Sequence, residues 1–156
     1  MDEAYQTHLV SNEDTGELVE LGRTDVALDV LAKRGEWDRV WEVAAKERLS
    51  PSGIGKFVLM RVEELVRGGS TAQMDEAIKT LHKRPGPASE GAMNTYRRLV
   101  RSVLARPSTD EGPELAASVA SLREVLYRLA NQYRSHSSDK QVCLRISFTL
   151  ACLCVV

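Results

Sequence analysis

Aromatic residues are scarce in this chain, with four tyrosines, two tryptophans and two phenylalanines among 156 residues. A core must therefore come from leucine, valine and alanine. Cysteine is nearly absent until the end: Cys143, Cys152 and Cys154 all fall in the last 14 residues. An odd number with no framework spacing excludes a secreted disulfide scaffold and points to a reducing compartment, the cytoplasm. No apolar run reaches the roughly 18–20 residues of a bilayer-crossing helix, so no membrane span is expected. Met1-Asp-Glu-Ala is acidic and no apolar segment follows it, so no signal peptide is expected. Only 5 prolines and 10 glycines are present, so the chain is neither fibrous nor a low-complexity linker.

Chemistry is equally thin. Gly53-Ile-Gly55-Lys56 has the look of a phosphate loop, but Ser50 replaces the required first glycine and Phe57 the required hydroxyl residue. Ser137-Ser-Asp-Lys140 fits a Ser-x-x-Lys pattern with no partner motif. His8, His82 and His136 are scattered, and the three thiols have neither zinc spacing nor a nearby histidine, so no metal or other cofactor is expected. Cys154 is third from the end, so the ending is not a prenylation box. With no acid–base pair or activated nucleophile, the chain is not expected to be an enzyme.

What is present is helical periodicity broken by punctuation. Residues 1–23 are acidic and weakly periodic, the end of a preceding repeat or a disordered segment, with a loop over Asn12-Glu-Asp-Thr-Gly16. Thr24 is expected to cap a helix in which Val26, Ala27, Val30 and Leu31 recur on one side. Gly35 supplies the left-handed closing position. A second helix then runs from about Glu36 to Arg48, with Trp37, Val40, Trp41, Ala44 and Ala45 as its apolar stripe. Ser50-Pro51 starts a third helix, to about Arg67, with Ile54, Phe57, Val58, Val62, Leu65 and Val66 facing in. Gly68-Gly-Ser-Thr71 ends it and caps a fourth, about Ala72 to Lys83, carrying Met74, Ala77, Ile78 and Leu81. Pro85-Gly-Pro87 stops that one. A fifth, about Ser89 to Arg106, carries Met93, Tyr96, Leu99, Val100, Val103 and Leu104. A sixth, about Glu114 to Tyr133, carries Leu115, Val119, Leu122, Leu126, Leu129 and Tyr133. Residues 139–156 form an atypical apolar tail, and Ile146 to Val156 would be a sticky strand if unpaired.

The second members of successive pairs begin near 36, 72 and 114, a spacing between tetratricopeptide and HEAT-like repeats. The expected fold is all-α: a helix-hairpin repeat solenoid of about three pairs over residues 24–138. Gly35, Trp37, Val40, Trp41, Ala77 and Ile78 are the candidate repeat-packing residues, with Val40 and Ala77 equivalent and Met74 standing where the first pair has Trp37. The tryptophans either line a peptide groove or fill the space between paired helices; the second reading is preferred.

Net charge is −1, but residues 1–50 carry six basic and twelve acidic side chains, and residues 51–156 fifteen and ten. Lys79, His82, Lys83, Arg84, Arg97, Arg98 and Arg101 form a basic cluster. It reads as a solvated face, a surface for an acidic protein or, less readily, a phosphate-backbone contact, since only Tyr96 is interleaved as a stacking ring. The candidate partner-binding face is thus Lys79, Lys83, Arg84, Arg97, Arg98 and Arg101, with nucleic acid not expected.

Leu31-Ala-Lys-Arg-Gly-Glu-Trp-Asp-Arg-Val with Ala44-Ala-Lys46, Pro85-Gly-Pro-Ala with Asn94-Thr-Tyr-Arg-Arg-Leu, and Leu122-Arg-Glu-Val-Leu with Leu129-Ala-Asn carry an ordered resemblance over residues 20–138. The chain resembles the C-terminal helical-repeat region of the intraflagellar transport 172-kilodalton subunit family. That resemblance implies a non-enzymatic scaffold or adaptor of the intraflagellar transport B complex, acting by protein–protein contacts in cilium assembly. It implies a cytoplasmic location at the cilium or flagellum and its basal body, with other intraflagellar transport proteins as partners. The alternatives are a generic repeat-type peptide-binding adaptor and a nucleic-acid-associated helical protein. The resemblance stops near Val142, as expected of a truncated product. Uncovered repeat ends would favour self-association.

Overall fold

The computed structural model describes residues 15–87, 89–105 and 113–136, with side chains for all of these except 90, 113–115 and 133–136. The fold is all-α: the described residues form seven helices. These are α1 (Thr15–Glu20), α2 (Thr24–Lys33), α3 (Trp37–Lys46), α4 (Pro51–Gly68), α5 (Thr71–Lys83), α6 (Glu90–Leu104) and α7 (Pro113–His136). None is long and apolar enough to cross a membrane. The second members of the expected pairs begin at Trp37, Thr71 and Pro113, within a residue of expectation. The side chains of Leu115, Tyr133, His8, His136 and the three cysteines, and the whole 139–156 tail, lie outside the described residues. Two compact units meet at Ile54/Gly55. The chain's charge changes sign at the same place, since residues 51–54 carry none.

Among its described residues, the first unit holds three short helices, each closed in the same way, and the first turn of α4. After α1, the Gly22 N–H donates to the Val19 carbonyl (2.9 Å) and the Arg23 N–H to that of Leu18 (2.8 Å). After α2, Gly35 donates to Ala32 and Glu36 to Leu31, both at 3.0 Å. After α3, Arg48 donates to Ala45 (3.2 Å) and Leu49 to Ala44 (3.0 Å). Each pair of bonds satisfies carbonyls that a helix end would leave open, and each needs a left-handed residue. Those residues are Gly22, Gly35 and Arg48, with φ of 73°, 75° and 50° and a constant spacing of thirteen residues. The accepting Leu18, Leu31 and Ala44 are also core residues, at most 1% exposed. One period therefore sets both the turn and the buried face.

Gly35 behaves as the sequence implies. Arg48 does the same work against the steric preference of a residue with a Cβ, at a cost of about 1 kcal/mol. Replacing Arg48 by glycine should therefore stabilise the chain by about 1 kcal/mol in urea denaturation. A variant no more stable than the parent would show that the arginine side chain offsets its own backbone strain.

Three expectations for this unit need correction. Thr15 and Gly16 lie in α1 rather than in a loop, because Leu18 and Val19 pack with Val26 and Ala27 of α2. Thr24 is the first helical residue, not the cap. The cap position falls on Arg23, which has no side-chain capping bond. The connection is so short that the residue closing α1 also opens α2: the Arg23 carbonyl accepts from the Ala27 N–H at 3.1 Å. Ala45 is exposed. Trp37, Val40 and Ala44 form the buried line of α3, and Ala45 lies about 100° past Ala44, toward the polar side.

The Ser50 side chain accepts from the Gly53 N–H (3.2 Å), capping α4 as expected. The second unit begins one turn into α4. Gly69, with φ of 77°, closes α4. Ser70 and Gln73 then form a reciprocal capping box that starts α5. Ser89 caps α6 by accepting from the Ala92 N–H (3.3 Å). The core is built from α4 (Phe57, Val58, Val62, Leu65), α5 (Met74, Ala77, Ile78, Leu81), α6 (Tyr96, Leu99, Val103) and α7 (Leu122, Leu126, Leu129). Ile54 and Val119 are only half-buried. Leu104, the last residue of α6, is partly exposed where a buried position was expected.

Polar contacts pin these helices at chosen points. Arg61 of α4 pairs with Glu76 of α5. The buried Thr95 hydroxyl of α6 donates to Glu63 of α4 (2.8 Å). Ser118 of α7 donates to Asp75 of α5 (2.7 Å), and Arg128 of α7 to the carbonyl of His82 at the other end of α5 (3.0 Å). Because 75 meets 118 and 82 meets 128, α5 and α7 run in the same sense.

Candidate functional site

The six repeat-packing positions divide by burial. Val40 and Ala77 are fully buried, Ile78 is 2% and Trp37 7% exposed. Trp41 is half-buried, and its ring stacks on that of Trp37 with centroids 5.9 Å apart and planes 28° apart. The stack belongs to α3, where the pair covers one side of the helix. Gly35 has no heavy atom within 4 Å of where a Cβ would stand, so its role is conformational and not a close approach.

The corner at Pro85-Gly-Pro87 is built on one side chain. Tyr96, 1% exposed, donates its hydroxyl to the Pro87 carbonyl (2.9 Å). That hydroxyl fills the space where a Cβ on Gly86 would lie, so residue 86 has to be glycine for the ring to seat. On α4, Gly55 leaves room for the Pro87 ring, 3.5 Å from where its Cβ would stand. Burial raises the phenol of Tyr96 well above its ordinary value, so it stays a neutral donor. Two segments close in sequence, residues 85–87 and residues 94–99, are thereby one structural piece.

The basic candidates are distributed over two helices. Lys79 and Lys83 are exposed on α5, one turn apart, with His82 between them. Arg84 is half-buried just past the end of α5. On α6, Arg98 and Arg101 are exposed and Arg97 is half-buried. A cleft of about 420 Å³ runs between α5 and α7, lined by Asp75, Ile78, Lys79, His82, Lys83, Ala117, Ser118 and Ser121. It gathers Lys79, His82 and Lys83 and leaves Arg97, Arg98 and Arg101 outside its lining. Sequence reasoning missed the α7 wall. Its signal was the small-residue run Ala116-Ala-Ser-Val-Ala-Ser121, which permits a close helix approach but names no partner helix.

The described helices are joined by short turns and pinned by polar contacts, with an open cleft between α5 and α7. No family model matches the chain, and no solved structure matches it. Curated relatives do. The chain is 30% identical over 131 residues to the intraflagellar transport protein 172 homologs of Homo sapiens and Mus musculus, which covers 83% of this chain and 7% of each relative. It is 28% identical over 138 residues to the Drosophila melanogaster homolog, covering 87% of this chain and 8% of that protein. The chain is a stretch of intraflagellar transport 172-like sequence, and it spans less than a tenth of the length of those relatives.

Proposed function

We propose that the chain works in intraflagellar transport as a non-enzymatic scaffold segment, part of the B complex, that serves cilium assembly through protein–protein contacts. The observation that carries this reading is the similarity itself, which runs over 83–87% of the chain and is not confined to one motif. Its partners are then other intraflagellar transport proteins, and its place is the cytoplasm, the cilium or flagellum, and the basal body. The helix pairs are read as a short piece of a tetratricopeptide-like solenoid from the C-terminal helical region. The parallel run of α5 and α7 fits that arrangement, because alternate helices of stacked hairpins point the same way. Of the basic candidates Lys79, Lys83, Arg84, Arg97, Arg98 and Arg101, the two lysines that line the cleft, Lys79 and Lys83, are the surface that meets an acidic partner.

Proximity labelling from the tagged chain in ciliated cells tests this. Enrichment of intraflagellar transport proteins over a cytosolic control is the expected outcome. A labelled set without them would remove the reading.

A further inference from the structure

The α5–α7 cleft combines features that the basic cluster alone does not have. Tertiary hydrogen bonds tie its two helices together at two levels, Ser118 to Asp75 and Arg128 to the His82 carbonyl. Its floor holds the apolar Ile78, and Ala117 and the Ser121 hydroxyl stand on the opposite wall. One rim carries Lys79, His82 and Lys83, all exposed and within one helical turn. The lining has a single carboxylate, Asp75, and Ser118 donates to it. Among the described residues, neither lysine is paired with a carboxylate. The cleft's volume lies within the 300–1,000 Å³ usual for ligand sites.

We propose that this cleft docks an acidic peptide segment of another protein, one that sets carboxylates beside Lys79 and Lys83 and an aliphatic side chain against Ile78 and Ala117. The charge argues for the acidic character: an entering carboxylate gains two ammonium groups on one rim and faces only the hydrogen-bonded Asp75. The apolar floor argues for a peptide carrying an aliphatic residue rather than a small anion. Ser121 adds a hydroxyl within reach of the peptide backbone. The proposal rests on the reading of Lys79 and Lys83 as a contact surface, and it leaves Arg97, Arg98 and Arg101 out of that surface. It does not depend on the ciliary reading, because peptide docking is measured on the purified chain.

The test uses the full chain and a fluorescein-labelled peptide of three Glu-Glu-Leu repeats, followed by fluorescence anisotropy. A Lys-Lys-Leu peptide is the comparison. Lys79→Glu with Lys83→Glu should weaken binding of the acidic peptide about tenfold or more. Ala117→Trp, which fills the cleft without changing charge, should do the same, whereas Arg98→Glu with Arg101→Glu should leave affinity within about twofold. The substituted residues are exposed, so circular dichroism should show unchanged helicity. Three peptide-binding results overturn the proposal: equal loss from the α6 charge reversals, which means diffuse attraction; undiminished binding by Ala117→Trp; or equal binding of the basic peptide. Dimerisation of the unliganded chain in sedimentation, abolished by Lys79→Glu with Lys83→Glu, would overturn it in favour of a second copy as the occupant.

Discussion

Tyr96→Ala lowers the stability of the second unit by about 3–5 kcal/mol, the usual cost of emptying a buried aromatic site. The ring is 1% exposed, and its hydroxyl donates to the Pro87 carbonyl and occupies the space that Gly86 leaves open. Tyr96→Phe keeps the ring and removes only the hydroxyl, so its cost should be about 1–2 kcal/mol. Gly86→Ala forces the hydroxyl away from its present seat and should cost at least as much as Tyr96→Phe. Urea denaturation followed by circular dichroism gives all three values. If Tyr96→Ala costs under about 1 kcal/mol, the corner at 85–87 is not held by this residue. The pH dependence has a definite sign. Burial raises the folded-state phenol above its ordinary value, so its contribution is present below about pH 10 and is lost as alkali deprotonates the unfolded chain. Tyr96→Phe should remove that part of the alkaline destabilisation.

Trp37→Ala is the second large effect, at about 3 kcal/mol or more on the first unit. Trp37 is 7% exposed and stacks on Trp41. Truncation therefore empties a core site and takes away the face on which Trp41 rests. Trp41→Ala should cost less, because that ring is already half-exposed. Both tryptophans of the chain lie in the first unit, so intrinsic fluorescence of the single-tryptophan variants follows that unit alone, whereas circular dichroism follows both. Equal costs for the two truncations would contradict the assignment of Trp37 as the inner residue.

How much of this is legible in the sequence depends on how local the cause is. Gly35, Ser50 and Ser70 are readable because their jobs, a left-handed turn and two helix caps, are set by neighbours within a few residues. Arg48 is not readable, because its left-handed conformation is imposed by the closing bonds around it against its own preference. The helix starts at Trp37, Thr71 and Pro113 follow from periodicity and punctuation. The cap at Thr24 misleads, because a three-residue connection forces Arg23 to serve two helices. Leu28, 1% exposed, falls outside the expected stripe of α2, because several sides of that helix are covered.

The candidate site divides along the same line. The excess of basic residues between 79 and 101 is visible from counting. That Lys79, His82 and Lys83 line a cleft while Arg97, Arg98 and Arg101 do not is decided by the pairing of α5 with α7, helices separated in sequence by α6. No periodicity encodes that choice. The Ser118–Asp75 and Arg128–His82 contacts that secure it span 43 and 46 residues. The link between Pro85-Gly-Pro87 and Asn94-Thr-Tyr is likewise tertiary, although both segments stand out in the sequence.

The proposed role of this chain is to hold partner proteins in intraflagellar transport. Affinity capture of the tagged full chain from flagellar extract, read by quantitative mass spectrometry, tests it most directly. Intraflagellar transport proteins should be retained by the parent chain and depleted when Trp37→Ala destabilises the first unit or Lys79→Glu with Lys83→Glu reverses the cleft's rim. Retention of none of them by the folded parent chain, or equal retention by the parent chain and both variants, would contradict it.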